Sequence, residues 1–145
     1  MMAELTWLLV LILFIAALAV DRFIYKRGSI NVDSCGLHDI KQGYWRFNLV
    51  YRLTGNPVWG QIKYSLRDKK NPSTVISGKP RELEHSTKGF NSEFLHIKKA
   101  LTDTTDSNHD WELVVTASTV AGHFNPLYKL FPLKVKKIYK VNLNA

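Results

Sequence analysis

Lysines recur at alternate positions near the C-terminus, a pattern that suits the binding of an anion. Lys134, Lys136 and Lys140 share one parity of the stretch 133–143, whose other parity is mostly apolar. Residues of one parity face the same side of a β-strand, so we expect these lysines to form a basic ladder on one solvent-facing surface. Ammonium groups arranged in this way suit phosphates, but lysines also protect sheet edges from unwanted pairing.

Two arginines follow the same alternation earlier in the chain. Arg46 and Arg52 occupy the outer parity of residues 44–54, so they are expected to share one face of a strand. If that strand neighbours the C-terminal strand, or its counterpart in a second subunit, the two sets of cations form one patch. This reasoning predicts an anion- or partner-binding surface whose members are Arg46, Arg52, Lys134, Lys136 and Lys140.

Three side chains near predicted turns form a second candidate surface. Tyr44 lies on the outer parity of its strand, Trp59 follows the Asn-Pro pair at 56–57, and His109 lies in the polar stretch 102–110. Each could contact a ligand or partner, although aromatic residues at turns more often cover the end of a core. We expect the covering role for Tyr44 and Trp59.

The residues that could support catalysis or metal binding lack the required spacing. The five histidines are scattered, with no i, i+4 pair or CxxC-like arrangement that would bring zinc ligands together. The sequence also contains no nucleophile elbow, P-loop or dinucleotide-binding glycine motif. Its single cysteine, Cys35, cannot form an intrachain disulfide. We therefore predict a protein that is not an enzyme and carries no metal or other cofactor.

The element that would place these residues in a cell is an apolar run at the N-terminus. Residues 5–20 contain no charge, and with their apolar neighbours they reach about 20 residues, enough to cross a bilayer as a helix. We predict that residues 1–27 form a transmembrane anchor with a basic flank and that residues 28–145 form one domain. The side chains expected to span the membrane include Leu5, Trp7, Leu8, Leu11, Phe14 and Leu18.

Flanking charges separate an anchor from a secretory signal. Residues 17–19 read Ala-Leu-Ala, a form that signal peptidase accepts, but the residues before the apolar run carry one acid and no base, unlike a signal peptide. Within the first 30 residues, lysine and arginine occur only after the apolar run, at Arg22, Lys26 and Arg27. The positive-inside bias then favours a single-pass protein of the inner membrane with a cytoplasmic C-terminal domain over a periplasmic one.

Beyond residue 27, alternation of apolar and polar residues predicts an all-β domain. The clearest strand covers residues 44–54, with Trp45, Phe47 and Leu49 facing inward, and a second strong strand begins at Trp111. About seven such strands, separated by turns, indicate an immunoglobulin-like antiparallel β-sandwich, with a small closed barrel as the alternative. In residues 90–97 we expect Phe94 and either Leu95 or Ile97 to be buried. No helix is predicted after the anchor.

These features support three hypotheses about function. The first is a membrane-anchored binding protein whose basic domain docks a protein partner, in an accessory, exclusion, immunity or defence role, with self-association also open. The second is a membrane receptor or effector for an anionic small molecule such as a nucleotide signal. The third is a periplasmic component of an envelope assembly. The net charge of +8 suits anionic partners, but nucleic acid is disfavoured because the aromatic residues fall on core parity.

Reporter fusions at the C-terminus test the anchor and its orientation together. We expect a fluorescent-protein fusion to be bright and to remain in the membrane fraction, and a phosphatase fusion to be inactive, because the basic flank keeps the domain in the cytoplasm. An active phosphatase fusion would place the domain outside. A soluble fusion that begins at Val20 would show that the segment is a cleaved signal.

Overall fold

An N-terminal helix precedes a domain whose described residues form eight β-strands. The computed structural model describes residues 1–26, 28–55, 59–83, 88–102, 109–120 and 125–143. The helices are α1 (Met2–Val20) and α2 (Leu127–Leu130), with a π-helical turn at Asp21–Tyr25 and a 3-10 turn at Lys99–Leu101. The strands are β1 (Ile30–Lys41), β2 (Tyr44–Leu53), β3 (Trp59–Asp68), β4 (Val75–Ser77), β5 (Arg81–Glu82), β6 (Gly89–Lys98), β7 (Trp111–Val120) and β8 (Leu133–Lys140).

Helix α1 is apolar on every side, and none of its side chains is buried. Together with the π-helical turn it forms a helix of 24 residues, Met2–Tyr25, and an 18-residue window of that helix has a mean hydropathy of 2.5. Within the described ranges this helix alone is long and apolar enough to cross a membrane. A helix that is hydrophobic all round is not stable in water, since it has no polar face, so its surface requires a lipid or protein environment.

The strands form two open antiparallel sheets that pack face to face. One sheet has the order β1-β2-β6, and the other has the order β4-β3-β7-β8, with β5 also pairing with β3. All strand pairs in both sheets are antiparallel. The first, second and sixth strands thus oppose the third, seventh and eighth, as in an immunoglobulin-like sandwich. The sandwich prediction is confirmed, and the closed-barrel alternative is wrong.

The core lies between the two sheets, where the predicted alternation holds on the central strands. Along β2 and β7 every second residue is buried. Phe47 and Leu49 of one sheet and Leu113 and Val115 of the other have no exposed surface. Burial of a large apolar side chain contributes about 1.5–3 kcal/mol, so these inward rows supply most of the stabilisation of the domain.

Tyr64 joins the two sheets with polar contacts inside this apolar core. It lies on β3, yet its hydroxyl donates to the carbonyl oxygen of His96 at 3.0 Å and accepts from the backbone N–H of His96 at 3.2 Å. His96 belongs to β6, the edge strand of the opposite sheet. The phenol therefore satisfies backbone groups that an edge strand would leave unpaired, and its burial raises the pKa of Tyr64.

Two expectations about local structure are wrong. Leu95 and Ile97 are the buried residues of β6, whereas Phe94 is 36% exposed and lies on the outer face, with the Arg46 guanidinium 4.7 Å from its ring centre. Both parities of β6 carry apolar residues, so alternation alone gave no unique inner face. A helix also follows the anchor, because α2 forms at Leu127–Leu130.

Substitution of core and surface tryptophans tests the inward rows. Trp45 is 2% exposed, and its indole N–H donates to Thr102 Oγ1 at 2.9 Å, whereas Trp59 is 44% exposed. We expect Trp45→Ala to lower the free energy of unfolding by about 3–5 kcal/mol, and the matched control Trp59→Ala to change it by about 0.5 kcal/mol or less. Thermal unfolding followed by circular dichroism measures both. Equal melting temperatures for the two variants would contradict the assigned core.

Candidate functional site at the junction of helix and domain

The junction between α1 and the sandwich is built around the buried side chain of Arg22. Arg22 is 7% exposed; its Nε donates to the carbonyl oxygen of Phe131 at 2.5 Å and its Nη2 to that of Pro132 at 3.2 Å. The guanidinium also lies 5.1 Å from the ring centre of Phe23 and 5.8 Å from that of Tyr128. Burial of a charge is costly unless it is hydrogen-bonded, and these carbonyls and rings offset that cost.

A second set of contacts runs in the opposite direction, from the domain to the helix. Asn125 is 2% exposed, and its Nδ2 donates to the carbonyl oxygen of Leu18 at 2.7 Å and to Asp21 Oδ2 at 3.1 Å. The fully buried Tyr128 donates its hydroxyl to the carbonyl oxygen of Asp21 at 2.9 Å. The carbonyls of Leu18 and Asp21 also accept backbone hydrogen bonds within the helix, so the domain adds a second donor to each and ties itself to the last turns of the helix.

Short-range interactions explain why residues 125–130 can reach the helix. Asn125 Oδ1 accepts a hydrogen bond from the backbone N–H of Leu127 at 3.0 Å, which is the side-chain turn that asparagine commonly makes. Pro126 then lies at the N-cap position just before α2 with a φ of −65°, the value that the proline ring favours. This Asn-Pro pair is a helix-start signal, and the expectation of no helix after the anchor overlooked it.

The segment between helix and domain is also held in place. The Thr119 hydroxyl donates to the carbonyl oxygen of Gly28 at 3.0 Å, and the backbone N–H of Thr54 donates to that of Ser29 at 3.0 Å. Lys26 ends the π-helical turn in a left-handed conformation with a φ of 48°. Together with the contacts of Arg22 and Asn125, these bonds fix the orientation of α1 relative to the sandwich.

Exposed apolar side chains surround this junction and continue the surface of α1. We call them the apolar rim. Phe23 and Phe131 lie on opposite sides of the contact, with ring centres 5.8 Å apart. The rim consists of residues that are between 51% and 72% exposed: Phe23, Ile24, Tyr25, Leu130 and Phe131. A contiguous apolar surface of this kind marks a site of contact with lipid or protein.

The structure does not bring the predicted cationic patch together. Lys134, Lys136 and Lys140 are all exposed on β8, as expected, but β8 and β2 belong to different sheets. Arg46 is committed to a two-pronged ion pair with Asp39, which lowers the pKa of that carboxyl, and Arg52 lies over the Phe90 ring. The single patch is therefore divided between two faces of the sandwich.

The three predicted loop residues are also separated. Trp59 begins β3 at the end of the sandwich next to α1, where its backbone pairs with Val120. Tyr44 lies at the far end, half-buried, beside His96 with ring centres 6.2 Å apart. His109 lies at the far end as well, and its ring stacks on Trp111 at 4.9 Å. Tyr44, Trp59 and His109 therefore do not share a surface.

His109 belongs to a polar cluster at the far end of the sandwich. Its Nδ1 lies 2.7 Å from Asp68 Oδ2, while Asp68 Oδ1 accepts hydrogen bonds from the backbone N–H groups of Lys70 and Asp110 at 3.0 and 3.1 Å. The contact with His109, with help from these N–H groups, lowers the pKa of Asp68. A cavity of about 320 Å³ adjoins the cluster and is lined in part by Lys140.

The environment of Cys35 and the placement of possible metal ligands were the remaining indications of chemistry. Cys35 is buried, and its burial raises the pKa of the thiol to about 12, so the reactive thiolate is scarce near neutral pH. Among the described residues, no group of three or more His, Cys, Asp and Glu side chains could hold a metal ion.

The fold and the junction define a class of protein in which an exposed apolar helix is joined by hydrogen bonds to a small immunoglobulin-like sandwich. The chain belongs to the family described as "LydB: LydA-holin antagonist", whose family model matches residues 5–145. No curated protein matches the chain.

Solved structures resemble the chain only distantly. OgpA from Akkermansia muciniphila, in an inactive form bound to an O-glycopeptide, is 12% identical with a TM-score of 0.47, and its wild-type form gives 12% and 0.45. In both cases the match covers 82% of this chain and 30% of OgpA. A putative late embryogenesis abundant protein is 14% identical with a TM-score of 0.42, over 95% of this chain and 86% of its own.

Acid titration tests the role of Asp68. The pKa of Asp68 in the folded chain lies below its ordinary value of 3.8. The ionised carboxylate therefore stabilises the fold at pH values above 3.8. This stabilisation is lost as the pH falls through the folded-state pKa. We expect Asp68→Asn to lower the melting temperature at neutral pH and to flatten its decline in acid.

The matched control is Asp33→Asn, which changes an exposed carboxylate on β1 and should leave the profile nearly unchanged. Melting temperatures measured between about pH 2 and pH 7 compare the three proteins. Parallel curves for Asp68→Asn and the parent chain would contradict the proposed stabilisation.

Proposed function

We propose that this chain is a membrane-anchored, non-enzymatic antagonist that binds a holin and restrains its action at the membrane. The observation that carries the proposal is the family match, which runs from residue 5 to residue 145. It spans the apolar helix and the sandwich together, so the family is defined by the joined pair rather than by either part.

The exposed surface of α1 supports contact with another membrane helix. Because no side chain of α1 is buried, the helix is free to pack against a holin segment within the bilayer. Ala16 and Ala17 are exposed near its domain end, and small residues allow close approach between membrane helices. The apolar rim would extend such a contact to the membrane surface.

The rigid junction supports a role for the domain in the same contact. A domain tied to its helix by Arg22, Asn125 and Tyr128 occupies a defined position beside the membrane. A partner bound to the helix therefore meets one particular face of the sandwich. Preorganisation of this kind favours binding because less conformational freedom is lost on association.

The charges that follow α1 support a cytoplasmic position for the domain. Arg22 and Lys26 come directly after the apolar run, and no lysine or arginine precedes it. By the positive-inside bias, the domain remains in the cytoplasm, and the chain is an inner-membrane protein of the signal-anchor type. The short N-terminus, with a single acid at Glu4, is then the part that crosses.

A binding role without chemistry is supported by the way potential reactive groups are used. The Asp68 carboxylate accepts hydrogen bonds from two backbone N–H groups and contacts the His109 ring. These contacts hold the segment at 109–110 against the end of β3, which is a structural role. The thiol of Cys35 is buried. Recognition of an anionic small molecule, the second hypothesis, has weaker support because its cations are divided between two faces.

Co-expression with a LydA-type holin tests the proposal. We expect the full-length chain to delay the onset of holin-induced lysis, measured as culture turbidity over time. Asn125→Ala should weaken the delay while the protein stays in the membrane fraction, because it removes the hydrogen bonds from the domain to the Leu18 carbonyl and to the Asp21 carboxylate.

The matched control is Asn31→Ala, the same change at an exposed position of β1, which should delay lysis as the parent does. If the parent chain leaves the lysis time unchanged at equal expression, the proposed antagonism is wrong. If Asn125→Ala retains the full delay, the rigid junction is dispensable for it.

A further inference from the structure

A cavity of about 410 Å³ opens between the end of the π-helical turn and the start of β8. Three cationic side chains line it: Arg22, Lys26 and Lys134. Arg22 and Lys26 lie close together at the end of the helix, and Lys134 joins them because the junction places the start of β8 beside that end. Ser29 and Pro132 complete the wall next to them.

Among the described residues, none of the three cations in this cavity forms an ion pair with a carboxylate. Arg22 is 7% exposed, and it donates its hydrogen bonds to the neutral carbonyls of Phe131 and Pro132. Like charges gathered at a partly buried site repel one another, so an anion bound among them would be stabilising.

The surroundings of the cavity select an amphiphilic anion. Arg22 contacts the Phe23 ring and the Phe131 carbonyl oxygen. The cationic site therefore directly adjoins the apolar rim and the domain end of α1. A ligand held here would place a charged group among the cations and an apolar group along the rim. A free phosphate would use the cations alone, whereas a phospholipid satisfies both surfaces.

We propose that this cavity binds the headgroup phosphate of an anionic phospholipid from the leaflet that surrounds the domain end of α1. The inference rests on the membrane anchoring contained in the proposed function. Arg22, held by its two carbonyl contacts, forms the fixed base of the site, and the exposed Lys26 and Lys134 close around the phosphate. The acyl chains lie beside Phe23 and Phe131. Lys136 and Lys140, farther along the same strand, do not take part.

Native mass spectrometry of the full-length chain in detergent, titrated with phosphatidylglycerol or phosphatidylcholine, tests the site. We expect one phosphatidylglycerol to bind in preference to phosphatidylcholine. The double variant Lys26→Gln/Lys134→Gln should bind phosphatidylglycerol about thirty-fold more weakly, since each lysine near an anionic lipid contributes about 1 kcal/mol and 1.4 kcal/mol corresponds to tenfold.

The matched control is Lys136→Gln/Lys140→Gln, which also removes two positive charges, both from exposed positions of β8 outside the cavity, and should bind as the parent does. Thermal unfolding by circular dichroism confirms that both variants remain folded. Equal binding of the two lipids, or equal loss in the two double variants, would overturn the inference. Competition by inorganic phosphate as effective as that by the lipid would assign the cavity to a free anion and would also overturn it.

The lysis assay on the same variants separates this inference from the proposed function. If the parent prefers phosphatidylglycerol but does not delay lysis, the lipid site stands and the antagonism is wrong. If the parent delays lysis but shows no lipid preference, the lipid site alone is wrong. If Lys26→Gln/Lys134→Gln abolishes the delay without altering lipid binding, the cations serve an acidic protein segment and the inference is overturned.

Discussion

The hydrogen bonding of Arg22 is the interaction on which the arrangement of the molecule depends. An arginine that directly follows an apolar helix and is removed from water must find acceptors, because an uncompensated buried charge costs several kcal/mol. The carbonyls of Phe131 and Pro132 provide them, and they are in position because α2 brings the chain back beside the helix. The left-handed residue Lys26 ends the helix immediately afterwards. The junction therefore depends on hydrogen bonds to the buried guanidinium of Arg22.

The junction makes helix α1 and the β-sandwich parts of one structural unit. An apolar helix alone would be an anchor, and a basic sandwich alone would be a soluble binding module. Because Asn125 and Tyr128 bind backbone carbonyls of Leu18 and Asp21, the last turns of the helix are hydrogen-bonded directly to the domain. The family match, which covers both parts, is consistent with a single functional unit that acts at the membrane surface.

The elements predicted correctly from the sequence are those whose pattern is local. Alternation predicted β2 and β7 because the side of each strand that faces the core is mostly apolar and the other side is mostly polar. In β6 both sides carry apolar residues, so the exposure of Phe94 could not be read from the pattern. Helix α2 is only four residues long, too short to show a helical period, and its signal lay in the Asn-Pro pair.

The candidate site was harder to predict because it depends on which strands become neighbours. The basic residues of β2 and β8 have the expected parity, but alternation does not reveal that these strands join different sheets. Arg22 was expected at the membrane boundary, and nothing near it in sequence indicates that residues about 110 positions later supply its acceptors. Contacts between segments that are far apart in the sequence depend on the whole fold. The junction could therefore be recognised only from the structure.

The hydroxyl of Tyr64 has a consequence for crowding in the plane of a bilayer. Molecules confined to a membrane share one orientation, so their sheet edges meet side by side far more often than they would in free solution. Tyr64 occupies backbone groups of β6 at His96, and the exposed lysines 134, 136, 137 and 140 give β8 a repulsive charge. Edge strands protected in these two ways resist polymerisation through strand pairing. At the β6 and β8 edges, strand pairing between neighbouring copies in a bilayer is therefore disfavoured.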